Sequence, residues 1–305
     1  MKETATTGRR SLRALVFLVI IPLLIFVAIY QSNIHGRISP FHEGELLAPA
    51  SETLRGKLPF RDIYLQHGWG VNLLRAKLAF RLFGLSVASN RRLAHGPNGY
   101  FPPLAWIGVY LLLYSLFKRN IWIGPAFGLL AFADVSINER HLLPFLSISL
   151  LAVIGKNARL CFFFAGALAA MGVFYSLDTG LYAGAIGVAF ILLNSVGNRD
   201  RPKRYFLKGG IIYVVGGMTG ALPFVAYLVW NGIADDFLVN CYVQLRYQAE
   251  IWGIPPPSVT SLFGPFENAT ARERAVYLFL KWYYPLLICV CVSLVLVPRV
   301  ALRKL

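Results

Sequence analysis

Residues 205–230 read YFLKGGIIYVVGGMTGALPFVAYLVW, and Lys208 is the only charged residue among them. About 20 predominantly apolar residues are enough for a helix to cross the hydrocarbon core of a bilayer. The stretch therefore predicts a membrane-spanning helix. Comparable apolar blocks recur along the rest of the chain, so the whole sequence has to be interpreted around them.

Seven other apolar blocks accompany this one. They cover residues 11–30, 101–117, 121–135, 142–155, 160–176, 181–196 and 275–297. The first follows a basic N-terminal segment and has no small-residue cleavage site after it, so we expect an uncleaved helix rather than a signal peptide. Two blocks are near 15 residues long, which predicts short or partly buried spans. The pattern predicts about eight transmembrane helices, six of them between residues 101 and 230.

The composition agrees with that pattern. Hydrophobic residues make up 57% of the 305 residues, charged residues make up 14%, and the mean hydropathy is +0.58. Ordinary globular domains have roughly 45–50% apolar and about 25% charged residues. A soluble enzyme, a secreted disulfide scaffold and a disordered chain are therefore excluded. We expect an all-α polytopic membrane protein that forms a single membrane domain over residues 1–305.

The positive charges suggest an orientation in the membrane. The net charge is +16, from 30 Lys and Arg against 14 Asp and Glu. Basic residues cluster in alternate short loops and at the C-terminus, namely Lys118, Arg119, Lys156, Arg159, Arg199, Arg201, Lys203, Arg204, Arg299, Arg303 and Lys304. The positive-inside rule then predicts cytoplasmic termini, with loops 31–100 and 231–274 on the outer side. These charges need no nucleic-acid partner to explain them.

The first outer loop, residues 31–100, is long and basic, with nine Lys and Arg against four Asp and Glu. It predicts one helix ending near Leu54 and a second over residues 71–83. In the second, Leu74, Leu78 and Leu82 recur at helical spacing beside Arg75, Lys77 and Arg81. Such amphipathic helices can lie in the headgroup plane of a bilayer. A basic surface there would suit a phosphate-bearing lipid.

Carboxylates are scarce, and three in this loop are candidate catalytic groups. Glu43 and Glu45 follow the first span closely, and a close carboxylate pair raises one pKa, which favours a general base. Equally, the two acids suit the first turn of a helix. His42 could orient a carboxylate or be an interfacial residue. The neighbours Arg61 and Asp62 fit either a surface ion pair or contacts to a phosphate and a sugar hydroxyl.

Two later loop ends add polar candidates at the same predicted side. Arg140 and His141 lie at the outer mouth of the fourth span, where a guanidinium could bind phosphate or simply snorkel to the interface. Asp178 stands in a turn between two apolar spans, where it could be functional or cap a helix. In contrast, Gly209, Gly210, Gly216, Gly217 and Gly220 favour close helix packing over phosphate binding.

The order of motifs in the first loop resembles the GT-C class of integral-membrane glycosyltransferases. Its nearest groups are the protein O-mannosyltransferase-like and lipid A aminoarabinose transferase-like enzymes of bacteria. The resemblance is carried by residues 42–45 (HEGE), 56–64 (GKLPFRDIY), 83–84 (FG) and 91–92 (RR), within a loop that makes up about a quarter of the chain. The segments at Arg140-His141 and Asp178-Thr179-Gly180 also resemble later loop ends of the family. Two features depart from it: His42 replaces the usual first Asp, and the chain is short.

This resemblance implies a transferase in the bacterial inner membrane that moves a sugar from a polyprenyl-phosphate carrier to a glycan, lipid or protein acceptor. Glu43 matches the second acid of the family and is the first choice for the base, with Glu45 and Asp62 after it. Expected substrate-binding residues are His42, Arg61, Tyr64, His67, Arg91, Arg92, Arg140, His141 and Asp178. Enzymes of this class use a divalent metal or none, and no cluster in the sequence indicates a metal site.

Two other functions stay open. A flippase for a lipid-linked precursor would share the spans and the basic outer surface. It would also need ionisable residues deep within its helices, whereas most candidates here lie at helix ends. A non-catalytic subunit of a glycan-assembly complex would explain His42 and the short chain.

Overall fold

The computed structural model describes residues 12, 14–30, 40–94, 99–117, 122–132, 137–153, 158–197 and 202–252. Throughout these residues the protein is all-helical, and an isolated bridge between Pro59 and Ile63 is the only strand-like pairing in them. The all-α prediction is confirmed. The predicted last span, 275–297, and residues 253–274 of the second outer loop lie outside the described residues. So do most of the basic loop residues from which the orientation was predicted.

Four helices lie in the N-terminal part. They are α1 (Ile21–Ile29), α2 (Pro40–Leu54), α3 (Arg75–Phe83) and α4 (Val87–Leu93), with π-helical turns Val16–Ile20 and Gly70–Leu74 leading into α1 and α3. The two helices predicted in the first outer loop are therefore present. The first begins at Pro40, four residues before the start near Gly44 that its acids suggest, so Glu43 falls in its first turn.

Seven helices follow. They are α5 (Phe101–Phe117), α6 (Ile123–Phe132), α7 (Leu142–Ala152), α8 (Ala158–Tyr175), α9 (Leu177–Gly197), α10 (Pro202–Trp230) and α11 (Ala234–Trp252). Each of the six apolar blocks predicted between residues 101 and 230 contains one helix. The seventh helix, α11, lies in the region predicted only as an outer loop.

Two of these helices are long and apolar enough to cross a bilayer by themselves. They are Ala158–Tyr175, which is α8, and Leu207–Trp230 within α10. By contrast, α6 and α7 have 10 and 11 residues, and at about 1.5 Å per residue they are much shorter than a hydrocarbon core of about 30 Å. The number of spans therefore stays a prediction.

Glycines bring α8 and α10 into close contact. A Cβ atom added to Gly216 would lie 1.9 Å from the carbonyl oxygen of Phe163, and one added to Gly220 would lie 2.4 Å from that of Ala167. Neither position has room for a side chain, so the two backbones pack directly on each other. The packing prediction is confirmed at these positions, whereas Gly210 faces open space.

The opposite face of α10 is apolar and open. Met218, Leu222 and Val229 are exposed there, and Trp230 has 91% of its surface accessible. Contiguous exposed apolar surface on this scale indicates contact with lipid or protein rather than water. The helix therefore has a packed glycine face and a large apolar outer face, the arrangement expected of a membrane helix.

The segment of residues 40–94 covers one end of this helix bundle. Trp69 packs against Phe224 and Tyr227 of α10, with ring centroids 5.0 Å and 5.3 Å apart. The backbone N–H of Leu177, the first residue of α9, donates to the carbonyl oxygen of His67 at 3.2 Å. We refer to the end where α8 and α10 finish and α9 begins as the covered end.

Helix α11 holds this segment in place. The buried Asn240 side chain accepts a hydrogen bond from the Leu65 N–H at 3.1 Å and donates one to the Leu65 carbonyl at 3.1 Å. Gln244 donates to the carbonyl of Gln66 at 2.8 Å. The peptide groups of Leu65 and Gln66 thus form hydrogen bonds with side-chain amides of α11, which meets the requirement that buried peptide groups be paired.

Candidate functional site

Glu43 and Arg91 form a closed ion pair. Nε and Nη2 of Arg91 donate to the two carboxylate oxygens of Glu43 at 2.5 Å and 2.9 Å. The side chains are only 2% and 3% exposed. Hydrogen bonding to Glu43 raises the pKa of Arg91, so the guanidinium stays charged. A base must reach the proton that it removes, and Glu43 is closed off by Arg91. The geometry therefore favours a structural role for both residues, rather than Glu43 as the base and Arg91 as a phosphate ligand.

Glu45 forms a more open pair with His67. Its Oε1 lies 2.9 Å from Nε2 of the imidazole, and the side chains are 15% and 27% exposed. The side-chain oxygen of Asn72 accepts the backbone N–H groups of His67 at 2.7 Å and Gly68 at 3.2 Å, which fixes the turn that carries the imidazole. A histidine oriented by a carboxylate is a common proton-transfer arrangement.

This turn packs tightly on the end of α8. Gly68 has φ +131°, and a Cβ atom on it would lie 3.0 Å from the carbonyl oxygen of Tyr175. At Gly70 the added atom would lie 2.2 Å from the Tyr175 ring. Only glycine fits at both places, because the backbone conformation and the space exclude a side chain. The Glu45–His67 pair is thereby held against the residues that follow α8.

A second polar cluster includes residues that follow α8 and is built around Arg140. Its Nε donates to the hydroxyl of Ser176 at 2.8 Å, and its Nη2 pairs with Asp178. Ser176 in turn donates to Asp178 at 2.7 Å, and the Asp178 side chain accepts the N–H of Thr179 at 2.8 Å. The two loop ends singled out in the sequence therefore meet, with Asp178 in the first turn of α9 and Arg140 partly exposed.

His141 lies next to this cluster but is turned into the protein. Its Nδ1 accepts the N–H of Asn138 at 3.3 Å, while the Asn138 side chain accepts the N–H of Arg140 at 3.1 Å. The result is a capping box at the short 3₁₀ turn Glu139–His141. Burial lowers the pKa of His141, and the charge of Arg140 adds to the effect. These contacts favour a structural role for His141.

Arg61 and Asp62 do not pair with each other. Arg61 contacts Asp236 of α11 at 2.9 Å and also bonds the carbonyl of Gly232. Asp62 accepts the N–H of Leu58 at 2.8 Å and closes a tight turn in which Phe60 has φ 70°. Asp62 serves the local turn and Arg61 reaches α11, so the segment's main contribution is to join the covering region to α11.

The remaining predicted site residues lie at the periphery. Tyr64 is half exposed, and partial burial raises its pKa. Arg92 is exposed, with its guanidinium carbon 5.3 Å from the centroid of the Phe83 ring. The backbone of His42 belongs to α2, but its side chain lies outside the described residues. Within the described ranges, no group of three or more His, Cys, Asp and Glu residues is placed to hold a metal ion.

One pair was missed in the sequence. Nη1 of Arg75 contacts Oε1 of Glu139, and the side chains are 5% and 8% exposed. The sequence analysis predicted Arg75 on the exposed basic surface of an amphipathic helix, and that prediction is wrong because Arg75 is buried. Arg75 shares the buried face of α3 with Ala79, four residues on, whereas the leucine stripe Leu74, Leu78 and Leu82 is exposed. The small alanine one turn away was the available hint.

Comparisons with known proteins returned nothing: no family model matches the chain, and no match was found among curated proteins or solved structures. The function is therefore inferred from the residues of the covered end. That end holds a Glu45–His67 pair, an Arg140 cluster and two buried ion pairs, Glu43–Arg91 and Arg75–Glu139.

Proposed function

We propose that the protein is a multi-pass membrane glycosyltransferase of the bacterial inner membrane, with both termini in the cytoplasm. It moves a sugar from a polyprenyl-phosphate carrier to an acceptor hydroxyl at the outer face. The observation that carries the proposal is the position of the Glu45–His67 pair, which lies against the Tyr175–Asp178 turn that also holds Arg140. A proton acceptor and a cation on two segments that contact each other match the two ends of this reaction.

The reaction needs a base for the acceptor and stabilisation for the leaving group. In the proposed step, His67 takes the proton of the acceptor hydroxyl, and Glu45 orients the imidazole and offsets its positive charge. The hydroxyl oxygen forms a bond to the anomeric carbon as the bond from that carbon to the phosphate oxygen breaks. The electron pair leaves with the lipid phosphate, near the cation of Arg140, and the configuration inverts.

The surface around the covered end supports a lipid-linked donor. The outer face of α10 is apolar from Ile211 to Trp230, and α3 exposes a leucine stripe beside the covered end. A polyprenyl tail needs apolar surface that reaches a polar site, and an amphipathic helix in the interface provides the transition. The resemblance of residues 42–64 to GT-C enzymes points to the same class of donor.

The proposal is tested with purified full-length protein reconstituted in liposomes. A polyprenyl-phosphate sugar serves as donor, and lipid that co-purifies with the protein is identified by mass spectrometry to select the sugar. We expect transfer by the wild type and a loss of about 10²–10⁴-fold in turnover for His67→Ala, the usual contribution of a general base. Glu52→Gln, which removes a carboxylate from the same helix outside the site, is the matched control and should leave turnover unchanged.

Three results would contradict the proposal. Full turnover of His67→Ala would remove the pair from the mechanism. Binding and transbilayer movement of the donor without any transfer by the wild type would favour the flippase function instead. Absence of both binding and transfer would favour the non-catalytic subunit.

A further inference from the structure

The three least exposed arginine side chains in the described part of the chain lie at the covered end, and each has a fork formed by Nε and Nη2. Such a fork can hold two oxygens in one plane. In Arg91 the fork holds both oxygens of Glu43. In Arg140 it holds Ser176 and Asp178. The guanidinium of Arg75 differs from both.

Arg75 contacts its carboxylate through the other nitrogen. Nη1 is the atom that bonds Glu139. Nε and Nη2 are buried and have no hydrogen-bond partner within the described part of the chain. A buried donor without a partner loses its hydration and gains nothing in return. Arg75 has two such donors on one fork, in a side chain that is 5% exposed. A ligand that brings two oxygens to the fork would satisfy both donors.

The fork lies near residues of the proposed site, because Glu139, the partner of Arg75, directly precedes Arg140 in the chain. Tyr175 lies within electrostatic range of Arg75, Glu139 and Arg140. Its ring stands directly against Gly70, five residues before Arg75. Arg75 and Arg140 thus both lie in the surroundings of the Tyr175 side chain, which packs beside the turn that carries His67.

We infer that the Nε and Nη2 fork of Arg75 binds two oxygens of a phosphoryl group. If the proposed function is right, on which this assignment rests, that group is the phosphate of the lipid-linked donor. The chemistry suits the site, because phosphoryl oxygens are bound in this bidentate way by arginine but not by lysine. Glu139 anchors the guanidinium from its other side, and its negative charge weakens the attraction for the anion.

The test measures binding to the purified full-length protein by calorimetry, with a polyprenyl phosphate as one probe and inorganic phosphate as the other. Arg75→Lys keeps the positive charge beside Glu139 but lacks the fork, so polyprenyl phosphate should bind roughly 10- to 100-fold more weakly. The matched control is Arg81→Lys, an exposed arginine on the same helix, which should leave the affinity unchanged.

Glu139→Gln separates a binding fork from a merely structural ion pair. It leaves the fork in place and removes a repelling charge, so we expect unchanged or tighter binding. A structural pair would instead lose binding equally in Arg75→Lys and Glu139→Gln. If Arg75→Lys does not fold, weaker binding by Glu139→Gln overturns the inference by itself.

The two probes distinguish this inference from the proposed function. Unchanged polyprenyl-phosphate affinity in Arg75→Lys overturns the fork assignment and leaves the transferase standing. Binding of inorganic phosphate through Arg75 by a wild type that does not bind polyprenyl phosphate supports the fork and overturns the lipid donor.

Discussion

Helix α2 carries two carboxylates only two residues apart, and their surroundings are opposite. Glu43 faces the protein, is 2% exposed and has both oxygens held by Arg91. Glu45 is 15% exposed and faces the imidazole of His67. Two residues along a helix correspond to a rotation of about 200°, so the pair necessarily point to different sides. The comparison shows that proximity in sequence did not make a catalytic pair, and that the partner across the fold decides what each carboxylate can do.

Turnover should separate the two carboxylates most strongly. We expect Glu45→Gln to reduce transfer by about 10²-fold or more, because the imidazole loses the group that orients it and offsets its charge. Glu43→Gln should reduce turnover much less in protein that remains folded. The measurement is the reconstituted transfer assay, with each variant's folded fraction determined first. Equal losses in the two variants would break the comparison.

Stability should separate them in the reverse direction. Arg91→Ala leaves the Glu43 carboxylate buried without its guanidinium, and breaking a buried ion pair in this way costs about 3–5 kcal/mol. His67→Ala removes a partly exposed partner and should cost far less. Thermal unfolding in detergent or nanodiscs checks both. A small change for Arg91→Ala would mean that water reaches Glu43 and that its closed state has been overestimated.

His141 extends the comparison to the effect of pH. Burial lowers the pKa of His141, so the unfolded chain binds its proton more tightly than the folded protein does. His141 therefore stabilises the fold least at low pH, and its contribution is lost as the pH falls below the ordinary histidine pKa of about 6.5. His141→Gln keeps a capping side chain without the titration. We expect the difference in melting temperature between wild type and variant to shift in favour of the variant between pH 7 and pH 5.

The smallest effect is expected from the exposed arginine. Arg61 pairs with Asp236 at a site where both side chains are accessible, and exposed pairs contribute about 0.2–1 kcal/mol. Arg61→Ala should therefore change the melting temperature little and leave donor affinity within about twofold, because so weak a pair contributes little. A large loss of donor affinity would restore the phosphate-binding role that the sequence suggested for Arg61.

The sequence was most informative where structure depends on runs and spacing. The six helices between residues 101 and 230 follow from the lengths of apolar blocks, and the packing of Gly216 and Gly220 follows from their spacing. Both features are local along the chain. Helix α11 was not predicted, because a helix that exposes Leu238 and Val239 while burying Asn240 and Gln244 does not show the usual hydrophobic pattern.

The site was harder to predict because its decisive contacts are remote. Arg91 lies 48 residues from Glu43, and Glu139 lies 64 residues from Arg75. Nothing within a turn of either residue shows which partner it will meet. Polar residue types in the first loop could therefore be chosen from the sequence, but the division into closed pairs, a more open pair and an unfilled fork required the fold.

The joint between Leu65 and Asn240 has a consequence for biosynthesis. The two residues are 175 positions apart, so the ribosome needs roughly 10–35 s to reach the second after making the first, at about 5–20 residues per second. Throughout that interval the backbone around Leu65 has emerged but lacks the side-chain amides that will satisfy it. During synthesis there is thus a stage in which the segment around Leu65 exists without its hydrogen bonds to α11. At that stage chaperones and proteases can contact backbone groups that are buried in the finished protein.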